Sequence, residues 1–116
     1  MEPLNYETTL VELFYRRNAE SGDQPAIHAK RDGEFHARSW NEFKDDVERS
    51  AAALLKLGVQ PGDRVVQLAE NRYEWIVTDL AIIVAGAIHV PLHSPLTGPQ
   101  AAFQIADSGA RIVLLS

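Results

Sequence analysis

The sequence predicts an α/β fold: a partial three-layer arrangement in which a mainly parallel sheet carries flanking helices and an amino-terminal β hairpin precedes it. Three observations predict it. Residues 64–68, 73–85, 88–92, 99–107 and 111–115 alternate between strand and helix patterns, the order produced by two crossovers of a parallel sheet. Residues 25–30 and 34–38 flank Asp32-Gly33, a dipeptide suited to a two-residue hairpin turn. Between them, Ser39-Trp40-Asn41-Glu42 has the spacing of a capping box, ahead of a stripe of apolar residues at helical spacing.

The elements follow in order. Leu10, Leu13, Phe14 and Arg17 share a helical face, and Thr8 or Thr9 can accept the free amides at the start, which predicts a helix over 9–19 closed by Ser21-Gly22-Asp23. In the hairpin, pairing Arg31 with Glu34 sets Ala29 opposite His36 and His28 opposite Ala37. The two imidazoles then point to opposite faces and cannot share a metal. Phe43, Val47, Ala51, Leu54 and Leu55 form the apolar stripe of a helix over 40–57. Gly58 suits the left-handed residue that closes it, and Pro61-Gly62 suits the centre of a type II turn, since proline fixes φ and glycine accepts the positive φ that follows.

The turn delivers strand 64–68. Residues 73–85 are apolar except at Glu74, Thr78 and Asp79, the pattern of a helix buried on more than one side and too short to cross a bilayer. Strand 88–92 follows, then turn chemistry over His93 to Pro99, a helix over 99–107, and a last apolar strand over 111–115. Right-handed crossovers can place both late helices on one face, leaving the amino-terminal helices for the other. A chain of this size is expected to leave an apolar face exposed or to hide it against a partner.

Size and charge narrow the function. At 116 residues there is room for one domain, divided as leader and helix 1–24, hairpin 25–38 and layered segment 39–116. The net charge is -5, with -4 carried by residues 1–50 and -1 by residues 51–116. Such a chain has no general attraction for nucleic acid or anionic membranes. Cysteine is absent, which removes disulfides, thiol nucleophiles and thiolate metal sites and fits a cytoplasmic setting. Three glutamates and no basic-then-apolar run between Met1 and Glu12 argue against a signal peptide.

Chemistry-bearing residues are few. No phosphate-cradling glycine motif and no serine nucleophile motif is present. Arg72 stands at a strand-to-helix corner on the carboxyl side of a strand, where ligands of such folds sit; it is a candidate anion contact, with pairing to Glu70 or Asp45 as the structural reading. His93, just past the next strand, is a candidate substrate or channel contact, or a structural loop histidine. His89 lies inside that strand and reads as a packed or hydrogen-bonded core histidine. Four strand residues separate His89 from His93 by about 13 Å, so they make no metal pair, and no metal is predicted. Asp79, alone in an apolar helix, calls for an ion pair, with Arg64 or Arg111 as partner. No histidine is matched with an acid partner. Asp107 reads as a helix-end residue bonding the turn, and Trp40 and Trp75 as core.

The motif residues are specific when taken together. Leu57-Gly58-Val59-Gln60-Pro61-Gly62-Asp63-Arg64-Val65, Glu70-Asn71-Arg72-Tyr73-Glu74-Trp75, Asp79-Leu80-Ala81, Gly86-Ala87, Val90-Pro91-Leu92 and Asp107-Ser108-Gly109-Ala110 resemble the amino-terminal part of the AMP-forming acyl-CoA synthetases. The stretch around Glu70-Asn71-Arg72 resembles the long-chain fatty acyl-CoA ligase branch most, while His93-Ser94-Pro95-Leu96-Thr97 departs modestly from the family. The resemblance implies a fragment of the large amino-terminal domain, and for the parent enzyme a reaction of ATP, a fatty acid and coenzyme A through an acyl-adenylate, with Mg2+ required and a cytoplasmic or membrane-peripheral location. The family's phosphate loop, ribose-binding aspartate and catalytic lysine have no counterpart here. The matching segment is chiefly scaffold, with Gly58, Pro61, Gly62, Trp75 and Asp79 in structural roles, so no catalytic residue, bound cofactor or activity is expected of this chain alone. Its expected partner is the remaining domain of the ligase or a self-association surface. The alternative is a stand-alone remnant that binds a ligand or a partner subunit.

Overall fold

The structure is a computed structural model that describes residues 9–68, 73–92 and 97–115. Two compact units divide the chain, Met1–Asp46 and Val47–Ser116, and the division falls inside a helix.

The first unit contains α1 (Leu10–Ser21), β1 (Pro25–Arg31), β2 (Glu34–Ser39) and the beginning of α2 (Trp40–Lys56). Thr9 caps α1, its hydroxyl accepting from the Glu12 amide at 3.1 Å. The helix ends at Gly22, and glycine is required there because a β-carbon would lie 2.8 Å from Asn41 Oδ1. That amide is committed: Asn18, itself buried, donates to Asn41 Oδ1, and Asn41 donates to Asp23. β1 and β2 pair in the predicted register, Ala29 with His36 and His28 with Ala37. The hairpin turn takes positive φ at Asp32 and Gly33, 53° and 80°, as a two-residue turn of the right twist demands. The capping box is closed in both directions, with the Glu42 amide donating to Ser39 Oγ and the Ser39 amide to Glu42 Oε1. Phe14, Trp40 and Phe43 form an aromatic cluster in which the Trp40 and Phe43 rings are parallel.

In the second unit, β3 (Arg64–Leu68), α3 (Tyr73–Val84), β4 (Ile88–Leu92), α4 (Gly98–Ser108) and β5 (Ile112–Leu115) build a parallel three-stranded sheet of order β4-β3-β5. The hairpin is a separate two-stranded sheet. The first strand of the sheet is therefore its centre, and the second crossover runs back past it. Two right-handed crossovers in opposite directions put α3 and α4 on opposite faces, which corrects the expectation that both late helices share one.

Register sorts the strand residues. Val65 and Gln67 share the face of His89, Pro91, Ile112 and Leu114, while Val66 and Leu68 share the other with Val90, Leu92, Val113 and Leu115. α3 lies on the first face, since Trp75 and Asp79 both meet His89 there. Its buried residues, Tyr73, Val77, Leu80, Ala81 and Ile82, spread over more than one side, as its apolar sequence predicts. α4 buries none of its residues, and Phe103 is 70% exposed. Val113 and Leu115 are exposed along edge strand β5, so the expected open apolar surface is found there. In α2, Phe43, Val47, Ala51 and Leu54 are buried but Leu55 is exposed, which narrows the predicted stripe by one residue.

Candidate functional site

A parallel sheet has two chemically different edges, and in open α/β folds ligands sit outside the carboxyl one, where the strand order reverses. Here β3, β4 and β5 present Leu68, Leu92 and Leu115 at that edge. Arg72 and His93, the two predicted ligand contacts, belong to segments 69–72 and 93–96 that leave from it and lie outside the described residues. The same holds for Glu70 as a partner of Arg72.

At the opposite edge the motif residues are tied to one another. Gly58 takes φ 94° and Gly62 φ 83°, the left-handed values for which glycine is suited. The Gln60–Asp63 turn closes through the Asp63 amide to Gln60 O, and Gly62 donates to Gly86 O at 2.9 Å. Ile88 then donates to Asp63 O at 2.7 Å, and Arg111 to Arg64 O at 3.1 Å, so β4 and β5 both start from the end of this turn. Side chains repeat the connection. Arg64 Nη1 donates to Ser108 O at 2.7 Å, and Arg111 Nη1 pairs with Asp63 Oδ2 at 3.1 Å. Ser108, rather than Asp107, bonds the turn, donating to Ile105 O and accepting from the Ala110 amide. Gly109 closes α4 at φ 70°, and a β-carbon there would stand 3.1 Å from Arg64 Nη1. These contacts account for the Pro-Gly-Asp-Arg and Asp-Ser-Gly-Ala stretches as a clasp joining the starts of three strands.

Between the edges, α3, β4 and β3 enclose a polar cluster. Asp79 Oδ1 stands 2.8 Å from His89 Nδ1, and His89 Nε2 stands 2.9 Å from Gln67 Oε1. Gln67 Nε2 makes a long contact of 3.5 Å to Trp75 O, while the Trp75 ring meets the His89 ring edge-on at 5.5 Å. The His89 side chain is 9% exposed and that of Asp79 25%. The partner of Asp79 is thus a histidine and neither Arg64 nor Arg111. The arginines begin their strands and are occupied in the clasp, whereas Asp79 sits in the middle of α3 above β4. Sequence reasoning missed the pair because its two members are separated by the turn between α3 and β4; a carboxylate and an imidazole on consecutive packed elements were the available signal. Trp75 is half-buried rather than fully enclosed.

Among the described residues no three histidine, aspartate or glutamate side chains converge as metal ligands. Among them, too, no helix is long and apolar enough to cross a membrane.

The geometry defines a class first: an α/β parallel-sheet scaffold clasped at its amino edge. The family follows from comparison. The family model described as "AMP-binding enzyme" matches residues 14–116. This chain belongs to that family, the AMP-forming acyl-CoA and adenylate ligases, as part of their larger domain. It is 38% identical over 72 residues to the long-chain-fatty-acid–CoA ligase FadD15 of Mycobacterium bovis, covering 62% of this chain and 12% of that protein. It is 36% identical over 97 residues to the acetyl-coenzyme A synthetase of Streptomyces coelicolor, covering 83% and 15%. Among solved structures, the N-terminal domain of FACL13 from Mycobacterium tuberculosis superposes with a TM-score of 0.85 at 24% identity, over 93% of this chain and 27% of that one, a likeness of fold. The chain thus spans about an eighth to a seventh of the length of the two curated relatives.

Proposed function

We propose that this chain is the amino-terminal scaffold of a long-chain fatty acid–CoA ligase and is inactive alone. The parent joins ATP and a fatty acid into an acyl-adenylate with release of pyrophosphate, and the thiol of coenzyme A then displaces AMP. The observation that carries this reading is the use of the motif residues: Asp63, Arg64, Ser108, Gly109 and Arg111 are spent on one another at the amino edge. Electrostatic catalysis of adenylate formation needs cationic groups aimed at the reacting phosphates, and these two arginines are already engaged. FadD15 supports the long-chain assignment, and the acetate-specific name of the Streptomyces relative is its competitor. Arg72 and His93 are the proposed contacts with an anion and with the acyl chain.

Intact mass of the native polypeptide from source cells comes first, with a value several times 12.9 kDa expected. Pyrophosphate release by that protein is expected to be faster with palmitate than with acetate, and Arg72→Ala or His93→Ala should lower kcat/KM. The isolated chain should give no calorimetric heat with ATP. A native mass near 12.9 kDa, or ATP binding by the isolated chain, would replace this reading with that of a stand-alone binding module.

A further inference from the structure

His89 is a titratable ring with a side chain only 9% exposed that the scaffold reading leaves without a task, and its surroundings are unusual for a histidine. A neutral imidazole has one donor and one acceptor nitrogen. Here Nδ1 faces Asp79 Oδ1 and Nε2 faces Gln67 Oε1, at 2.8 and 2.9 Å, and both of those oxygens are acceptors. In this orientation the Gln67 NH2 group points at Trp75 O, a long contact of 3.5 Å. Reversing the amide would set two carbonyl oxygens against each other. With the Gln67 oxygen toward the ring, satisfying both ring contacts at once takes two N–H groups, which only the imidazolium possesses. Around the ring, α3 presents the Asp79 carboxylate and the edge of Trp75, β3 presents the neutral amide of Gln67, and the next residue on the same face of β4 is Pro91.

We propose that His89 is a protonation-dependent clamp: the doubly protonated ring grips α3 through Asp79 and β3 through Gln67 together, and loss of one proton releases one of the two. Because β4 runs directly into residues 93–96, the clamp sets how firmly the strand that carries that segment is held. The grip stabilises the fold fully below the titration of an unfolded histidine, about 6.5, and is lost as pH rises through the titration of the folded ring. It stands independently of the ligase reading.

The test is a long-range 1H–15N spectrum of the full chain labelled with 15N-histidine, recorded from pH 5 to 9 with free imidazole as reference and His89 assigned by its loss in His89→Gln. Both His89 nitrogens are expected to carry protons at pH 7, and Asp79→Asn is expected to move the titration to lower pH by about one unit or more. Should that variant fail to fold, Gln67→Glu supplies the converse, a shift to higher pH. The urea midpoint of the unsubstituted chain should fall between pH 6 and pH 9 by more than that of His89→Gln. A singly protonated His89 at pH 7, or a titration indifferent to the charge at positions 79 and 67, overturns the proposal.

Discussion

α3 and α4 are the two crossover helices of one sheet, nearly equal in length, and they are held in different ways. α3 buries five side chains, with Ile82 fully enclosed, whereas α4 buries none. α4 instead has complete local chemistry: Thr97 and Gln100 form a reciprocal capping box, a proline sits in its first turn, and Gly109 closes it in the left-handed conformation. The difference teaches that position in the fold and local helix signals are separate sources of order. α3 is specified by the core around it and α4 by its own ends.

The comparison breaks most directly at Ile82. Ile82→Ala is expected to cost about 2–5 kcal/mol by urea denaturation, because the side chain is wholly enclosed; a loss under 1 kcal/mol would mean α3 is not core-held. Gly109→Ala comes next. It forces an L side chain into positive φ and against the Arg64 guanidinium, for an expected loss of about 1–2 kcal/mol. Thr97→Ala should cost about 1 kcal/mol, read by helix content as well as stability, since it unmakes the capping box. Phe103→Ala, the largest apolar change available on α4, is expected to stay within about 0.5 kcal/mol because the ring is already in water. A large loss there would show that α4 is buried in solution.

Glu42 sharpens the same point in a helix whose start is locally specified. The Ser39 backbone amide, with help from Arg38, holds its carboxyl below the usual value of 4.5. A lowered value means that the stabilisation is complete above the unfolded titration and disappears as pH falls through the folded one. Glu42→Gln keeps a capping partner but removes that titration, so stability between pH 5 and 3 should fall less steeply than in the unsubstituted chain.

Much of this fold is legible in the sequence, and the reason differs by region. Strands 64–68 and 88–92 are found with their predicted bounds because Pro-Gly and Gly-Ala turns punctuate them, and the hairpin register follows from Asp32-Gly33 alone. The sheet order is not legible: β4-β3-β5 depends on which edge each crossover returns to, a non-local choice that the apolar runs do not encode. The Thr97-x-x-Gln100 box is readable in retrospect but is masked by the prolines and glycine around it. The clasp at the amino edge joins residues 44 and 48 positions apart, and the partner of Asp79 is not legible because sequence gives charges without positions. Arg111 is the nearer lesson, a cation spent on Asp63 within its own edge.

The central place of β3 has a consequence for synthesis on the ribosome. β3 emerges first, yet β4 must be completed before one of its sides is paired and β5 before the other. At about 5–20 residues per second, several seconds separate the appearance of Val65 and Val66 from the arrival of the last strand, an interval in which an apolar strand has open backbone on both sides. A codon slow to be read between residues 92 and 112 would lengthen that exposure.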